Sequence, residues 1–338
     1  MTEAPNFTTP DHFKHPHRST KRKQLTLFEN TLPHDNKRIV NVASVPQLSP
    51  FRYPGGKTWL IPEIRKWFSS MATKPSEFIE PFAGGGIVSL TVASEGLADH
   101  ITMIELDPDV AAVWRTIFSD DAGWLAEKIL NFELTIDNVQ TTLALAVESV
   151  RDHAFQTILR NRTNHGGILA PGTGVLKYGE NGKGIASRWY ANTLAKRIHK
   201  LFTLRNRITF IEGDGLLYLN GRQFRRDIAC FVDPPYTAPG KRAGRRLYRY
   251  SEIDHEKLFT LCQRMEGDFM MTYDDTEYMR NLAKQHAFQV ESVPMKNTHH
   301  ANMFELLIFT SRSRSTYPVM SEHLSTQVGH PICLADGR

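Results

Sequence analysis

The apolar run Ile228-Ala229-Cys230-Phe231-Val232 ends in Asp233-Pro234-Pro235-Tyr236. Such a run, bounded by prolines, reads as a buried strand. The prolines cannot continue a ladder, and they stiffen the backbone. The acid and the ring are therefore held at the carboxyl end of a strand, where open α/β sheets place their ligands. A carboxylate and a backbone carbonyl can accept hydrogen bonds from an amino group, and a tyrosine face can stack on a flat base. The plainer reading of these four residues is a proline-rich turn with a surface tyrosine.

The surrounding pattern favours a sheet with helices between its strands. Glu77–Glu80 reads as a short strand running into Pro81-Phe82-Ala83-Gly84-Gly85-Gly86, and Ile87 to Ser94 as a helix. Ile101–Glu105 reads as a second strand, ending near Asp107, with a helix from Val110 to Phe118. This order implies a parallel, doubly wound α/β sheet. The alternation stops over residues 119–206, which read as mostly helical with a glycine-rich, basic loop at 164–183. It resumes with strand Ile208–Glu212 and the strand before Asp233. Then come a helix (Asp254–Met265), a strand (Asp268–Tyr273), a helix (Thr276–His286) and a strand (Phe288–Val293). A last strand, Asn302–Phe309, pairs with the one before as a hairpin. Arg52–Lys57 forms a tight loop ahead of a helix from Trp59 to Phe68. The division expected is a discontinuous domain of residues 48–118 and 207–312, an insertion of 119–206, and tails of 1–47 and 313–338.

At 338 residues and 41% hydrophobic content the chain can bury a sizeable core. The net charge of +5 favours a polyanionic partner without identifying one. Cys230, Cys262 and Cys333 form neither a metal spacing nor a disulfide framework, and no metal is expected. With no apolar stretch of membrane-spanning length and no signal peptide, a reducing, intracellular setting and no membrane partner are expected. In the polar amino-terminal tail, Gln24-Leu25-Thr26-Leu27-Phe28 is an isolated apolar cluster beside Lys21-Arg22-Lys23. The pentapeptide resembles the short motif with which bacterial proteins bind the replication sliding clamp, with Gln24, Leu25, Leu27 and Phe28 as the docking residues. The alternative is a tail that packs on its own domain.

Glu80–Gly86 lies between a strand and a helix. Its glycines let the backbone approach a ligand, and the helix amino terminus favours a carboxylate or phosphate. Asp107, at the end of the next strand, can hold two ribose hydroxyls. A dinucleotide site would want Gly-x-Gly-x-x-Gly, which is absent, so the loop suits an adenosine ligand with an amino-acid tail. S-adenosylmethionine is such a ligand. Pro54–Thr58 invites a phosphate-loop reading, but Phe51 stands where that loop needs glycine, and no apolar strand precedes it. ATP binding is rejected there. Lys57 is left to neutralise a carboxylate.

In this order the motifs resemble those of the Dam-like, alpha-group DNA adenine N6-methyltransferases, over roughly residues 50–310. The resemblance implies a seven-strand, Rossmann-like S-adenosylmethionine-dependent methyltransferase sheet whose last hairpin strand runs antiparallel. It implies that Tyr53, Lys57, Glu80, Phe82, Gly84 and Asp107 surround the cofactor. Asp214 falls where the family contacts the cofactor adenine, although Gly213-Asp214-Gly215 could equally be a turn. Asp233 and Pro234 would accept the N–H bonds of a flipped adenine while Tyr236 stacks on it. The family carries an Asn-Arg motif where this chain has Asn161-Arg162, so residues 119–206 are expected to form a mostly helical target-recognition domain. Asn161, Arg162 and Asn164 would then contact base edges. Lys177, Lys183, Arg188, Lys196, Arg197 and Lys200 could contact phosphates. Lys241, Arg245 and the aromatics up to Tyr250 suit a loop over displaced DNA. The family pattern associated with GATC targets is not evident after Gly167. The resemblance also implies a bacterial or phage-encoded protein of the cytoplasm and nucleoid, in a restriction–modification setting. Methylation of RNA or of a protein glutamine, and a non-catalytic DNA-binding relative, are the competing readings.

Overall fold

The structure, a computed structural model, describes residues 44–176, 179, 182–235, 249–250, 252–296 and 302–310. The clamp-like residues Gln24, Leu25, Leu27 and Phe28, and also Lys177, Tyr236, Lys241 and Arg245, lie outside the described residues.

Seven strands form one sheet: β1 (Glu77–Glu80), β2 (His100–Glu105), β3 (Ile208–Glu212), β4 (Ile228–Val232), β5 (Asp268–Asp274), β6 (Gln289–Lys296) and β7 (Asn302–Phe309). Their order is β3-β2-β1-β4-β5-β7-β6. The first five run parallel, and β7 runs antiparallel to both β5 and β6. This is the Rossmann-like α/β sheet with an antiparallel hairpin strand that the family resemblance implies. The strand order turns back between β1 and β4, so the loops after these two strands open onto one crevice.

Each strand alternates its side chains between two cores. Phe78, Ile101, Met103, Phe231 and Leu307 face one; Ile79, Ile104, Val232, Met271 and Ile308 face the other. The first is covered by α1 (Ile61–Ser69), α2 (Ile87–Glu95) and α3 (Pro108–Ile117), the second by α8 (Gly215–Asn220), α9 (His255–Arg264) and α10 (Glu277–Gln285). The seven residues Ile87–Ala93 of α2 are all buried, so it is a core helix rather than an amphipathic one. Side-chain caps fix other helix starts. Asp107 accepts from Asp109 N in α3, and Asp254 and Thr276 do the same for α9 and α10. The helix expected from Trp59 begins instead as a 3₁₀ turn, Lys57–Leu60, before α1 takes over with Pro62 in its first turn.

The helical insertion supplies α4 (Ala122–Asn131), α5 (Ile136–Ala144), α6 (Val150–Thr163) and α7 (Ala191–Phe202). α6 lies along α3, and α4 lies against α7. Leu125, Phe155, Ile158, Leu194 and Ile198 join the core that α1 to α3 share with the sheet. Trp114 of α3 ties this core to the glycine loop. Its buried ring sits 5.5 Å from Phe51 and stacks at 5.8 Å on Phe118, and its Nε1 donates to Gly84 O at 2.9 Å. Trp114→Ala is expected to destabilise the protein by about 3–5 kcal/mol, read by chemical denaturation.

Candidate active site

The loop after β1 is shaped by close approach. Gly84 and Gly86 hold φ values of 46° and 64°, where an L side chain is strained. A Cβ on Gly84 would also come within 2.6 Å of the Tyr53 ring. Tyr53 therefore lies over the glycine loop. The Glu105 carboxylate, at the end of β2, joins the loops on either side: it accepts from Gly84 N at 2.7 Å and from Asp107 N at 2.8 Å. Beneath the loop, buried Glu80 accepts from Ser89 N at 3.0 Å. Asp214 caps α8 by accepting from Leu216 N at 2.7 Å.

Asp233 follows β4 without a break. Its Oδ1 accepts from Thr272 Oγ1 at 2.7 Å, and its Oδ2 meets Lys57 Nζ at 2.9 Å. Lys57 is buried and also lies 3.3 Å from Glu305 Oε1 on β7. Tyr53, Lys57, Glu80, Phe82, Gly84, Glu105, Asp107, Asp214, Asp233, Pro234, Arg249 and Tyr250 all line one cavity of about 980 Å³. That volume is at the upper end for a single ligand, roughly 300–1,000 Å³. The sequence brings the cofactor candidates and Asp233 to one place, but Lys57 spends its charge on Asp233 and Glu305. Thr272, Glu105 and Glu305 were not singled out from sequence. Glu305 carried a usable signal, as an acid inside the apolar run Phe304–Phe309.

The acids of this site divide by environment. Burial pushes Glu80 up to about 8 and Glu105 up to about 7, against the partial relief of their backbone hydrogen bonds. Burial also raises Asp107 above the usual carboxylate range. Asp109 is buried as well, yet His153, Arg160 and Arg249 outweigh that and hold it down at about 2. Arg249 reaches Asp107 at 3.6 Å and Asp109 at 3.0 Å, which ties the chain beyond Pro235 to the start of α3. Cys230 and Cys262 are buried, with thiols pushed up by burial, and neither is a nucleophile here. Among the described residues no group of side chains is arranged to hold a metal, and no helix is long and apolar enough to cross a membrane.

The structure turns the residues expected to contact bases onto backbone rather than solvent, although Arg162 also lines the cavity. Asn161 is fully buried: its Oδ1 accepts from Arg52 N at 2.9 Å, and its Nδ2 donates to Arg52 O at 3.0 Å and Gly167 O at 2.7 Å. Buried Arg162 donates to Pro50 O, Arg197 donates to Ser49 O at 2.9 Å, and buried Asn164 donates to Ile168 O at 3.1 Å. Burial beside Arg197 and Arg52 pushes the Arg162 guanidinium down to about 9. Asn161 and Arg162 thus brace the backbone of Pro50 and Arg52, while the buried Arg162 Nε finds no partner among the described residues. Arg188 is partly buried, while Lys183, Lys196 and Lys200 are exposed.

Residues 53–147 match the family model described as D12 class N6 adenine-specific DNA methyltransferase. The match runs from Tyr53 through the glycine loop and Asp107 into the helical insertion. It bears out the family resemblance and the enzyme class that the motifs imply, an adenine-specific DNA methyltransferase. The chain is also similar to several solved structures at low identity. A precorrin-6y C5,15-methyltransferase from Geobacter metallireducens is 10% identical, with 73% of this chain and 87% of that chain covered and a TM-score of 0.31. The rRNA methyltransferase aviRa from Streptomyces viridochromogenes is 11% identical, with 76% and 86% covered and a TM-score of 0.34. The TrmK protein of M. capricolum, solved with S-adenosyl-homocysteine, is 7% identical, with 73% and 66% covered and a TM-score of 0.32. Comparison with curated proteins gives no match.

Two outcomes follow from these contacts. Asn161→Ala leaves the Arg52 N–H and two carbonyls unmatched and is expected to cost about 1–3 kcal/mol, read by thermal unfolding. Glu80 and Glu105 bind protons in the folded state that the unfolded chain has already released. Between the ordinary carboxylate range and about pH 8, stability therefore falls as pH rises. Glu80→Gln is expected to flatten that fall, as measured by denaturation midpoints at about pH 6 and about pH 9, one unit outside the lower and the upper of the two transitions.

Proposed function

We propose that this protein is a site-specific DNA methyltransferase that moves a methyl group from S-adenosylmethionine to the N6 amine of an adenine flipped out of duplex DNA. The observation that carries the reading is the shared cavity: Asp233, held by Lys57 and Thr272, opens onto the glycine loop and the acids of Glu105 and Asp107. The cavity wall fits such a cofactor. The left-handed glycines expose backbone to a close ligand, Glu105, Asp107 and Asp214 offer acceptors for hydroxyl and amino groups, and Tyr53 and Phe82 offer flat faces. When bound, S-adenosylmethionine supplies an electrophilic methyl on a sulfonium.

The adenine amine is a poor nucleophile because its lone pair is delocalised into the ring. The Pro234 carbonyl and the Asp233 carboxylate would accept its two N–H bonds and favour a tetrahedral nitrogen. Positioning and electrostatics of this kind supply the acceleration. Tyr236 is given the stacking role from sequence alone. Flipping costs a few kcal/mol, to be offset by contacts with phosphates, for which exposed Lys183, Lys196 and Lys200 are suited, together with Arg188, Lys241 and Arg245. Residues 119–206 are proposed as the DNA-facing part of the chain. The clamp-binding role of Gln24, Leu25, Leu27 and Phe28 rests on the sequence motif.

The test is incubation with labelled S-adenosylmethionine and duplex DNA, RNA or protein, followed by mapping of N6-methyladenine. Methyl groups found only in RNA or protein would overturn the reading. Asp233→Ala is expected to lower transfer by about 10²-fold or more while calorimetry still detects cofactor binding. Loss of cofactor binding in that variant would reject the role given to Asp233.

A further inference from the structure

Glu305 is 4% exposed and Lys57 is 5% exposed, so both charges are withdrawn from water. A buried carboxylate in an apolar strand is costly unless it is paired. Lys57 carries three N–H donors, and three oxygens lie within reach: Asp233 Oδ2 at 2.9 Å, Gly55 O at 3.0 Å and Glu305 Oε1 at 3.3 Å. Two carboxylates thus share one ammonium. Among the described residues, Thr272 and Tyr273 on β5 and Glu80 on β1 also act on Asp233, and Asp274 pairs in register with Glu305. An ammonium opposed to Asp233 alone would draw the carboxylate's charge toward itself and weaken it as an acceptor. A second carboxylate on the far side of the same ammonium offsets that pull.

We infer that Glu305 is a positioning residue that acts on Asp233 through Lys57, keeping Asp233 a strong acceptor for the amine that is to be methylated. The inference rests on the role of Asp233 in the proposed function. Glu305 touches neither substrate nor cofactor in this assignment. Its effect is transmitted by the shared ammonium, and it depends on β7 standing beside β5.

The test compares wild type, Glu305→Gln, Glu305→Asp, Lys57→Met and the Lys57→Met/Glu305→Gln double variant, in the full chain. Two readouts are used: steady-state methyl transfer to duplex DNA and a ¹³C titration of the Asp233 carboxyl group. Glu305→Gln is expected to lower kcat about tenfold with the KM for S-adenosylmethionine unchanged, and to move the Asp233 titration down by about one unit. Glu305→Asp restores part of both. In the Lys57→Met background the same Glu305→Gln change is expected to alter kcat by less than about twofold. An Asp233 titration that is the same in wild type and Glu305→Gln overturns the inference, as does an undiminished loss in the Lys57→Met background. If Glu305→Gln does not fold, the Lys57→Met background decides: there the double variant is expected to leave the Asp233 titration where Lys57→Met alone puts it, and a movement of about one unit between the two overturns the inference. The titration needs no turnover, so a wild type that methylates no adenine sinks the proposed function while the Asp233 signal still tests Glu305.

Discussion

The parallel pairing of β1 with β4 is the constraint on which the rest of the site depends. In register Ile79 lies beside Cys230, so the two chains leave the sheet side by side, one into the glycine loop and the other into Asp233. Adjacent strands stand about 4.8 Å apart. A wide sequence separation is thus reduced to a neighbour distance by backbone hydrogen bonds alone. The other groups are positioned around that pair. β2 brings Glu105 to one side, β5 brings Thr272 to the other, and β7 brings Glu305 behind Lys57.

The helical insertion has two tasks that the sequence pattern merges. Its exposed lysines face outward, whereas its arginines and asparagines at Asn161, Arg162 and Arg197 turn inward onto the carbonyls of Ser49–Arg52. That segment leads directly into Tyr53 and Lys57. The insertion therefore supports the loop lying over the glycines, and its shared core with α3 makes the support rigid.

The strands and most helix bounds were legible because apolar alternation, glycines and caps are local signals. The run Ile228–Val232 with its prolines marks both a strand and its end, whereas the helix expected from Val110 starts at Pro108, where Asp107 caps it. The cofactor-side candidates gathered in one cavity because strand ends in a parallel sheet share one edge. What was not legible came from pairings made across the fold. Lys57 could be read as a cation seeking a carboxylate, but which one depended on β7 inserting between β5 and β6. Asn161 and Arg162 have the composition of base readers, and nothing local to a helix says whether a polar side chain points to solvent or to another segment's backbone. Glu105 is not distinguishable from Asp107 in the sequence, because only the loop geometry shows which carboxylate spans both turns.

The placement of β7 has a consequence for how the protein is made. β7 is the last strand among the described residues, yet it occupies an interior position in the sheet, with β5 on one side and β6 on the other. A nascent chain can pair β1 to β5 as they emerge, but β6 has no partner in the sheet until β7 arrives. Glu305 arrives with it and meets Lys57, which was synthesised near the other end. Completion of the sheet and completion of the buried charge cluster are therefore the same late event, and a ribosome that stalls before β7 leaves a fold whose edge is open and whose central lysine lacks its second counter-charge.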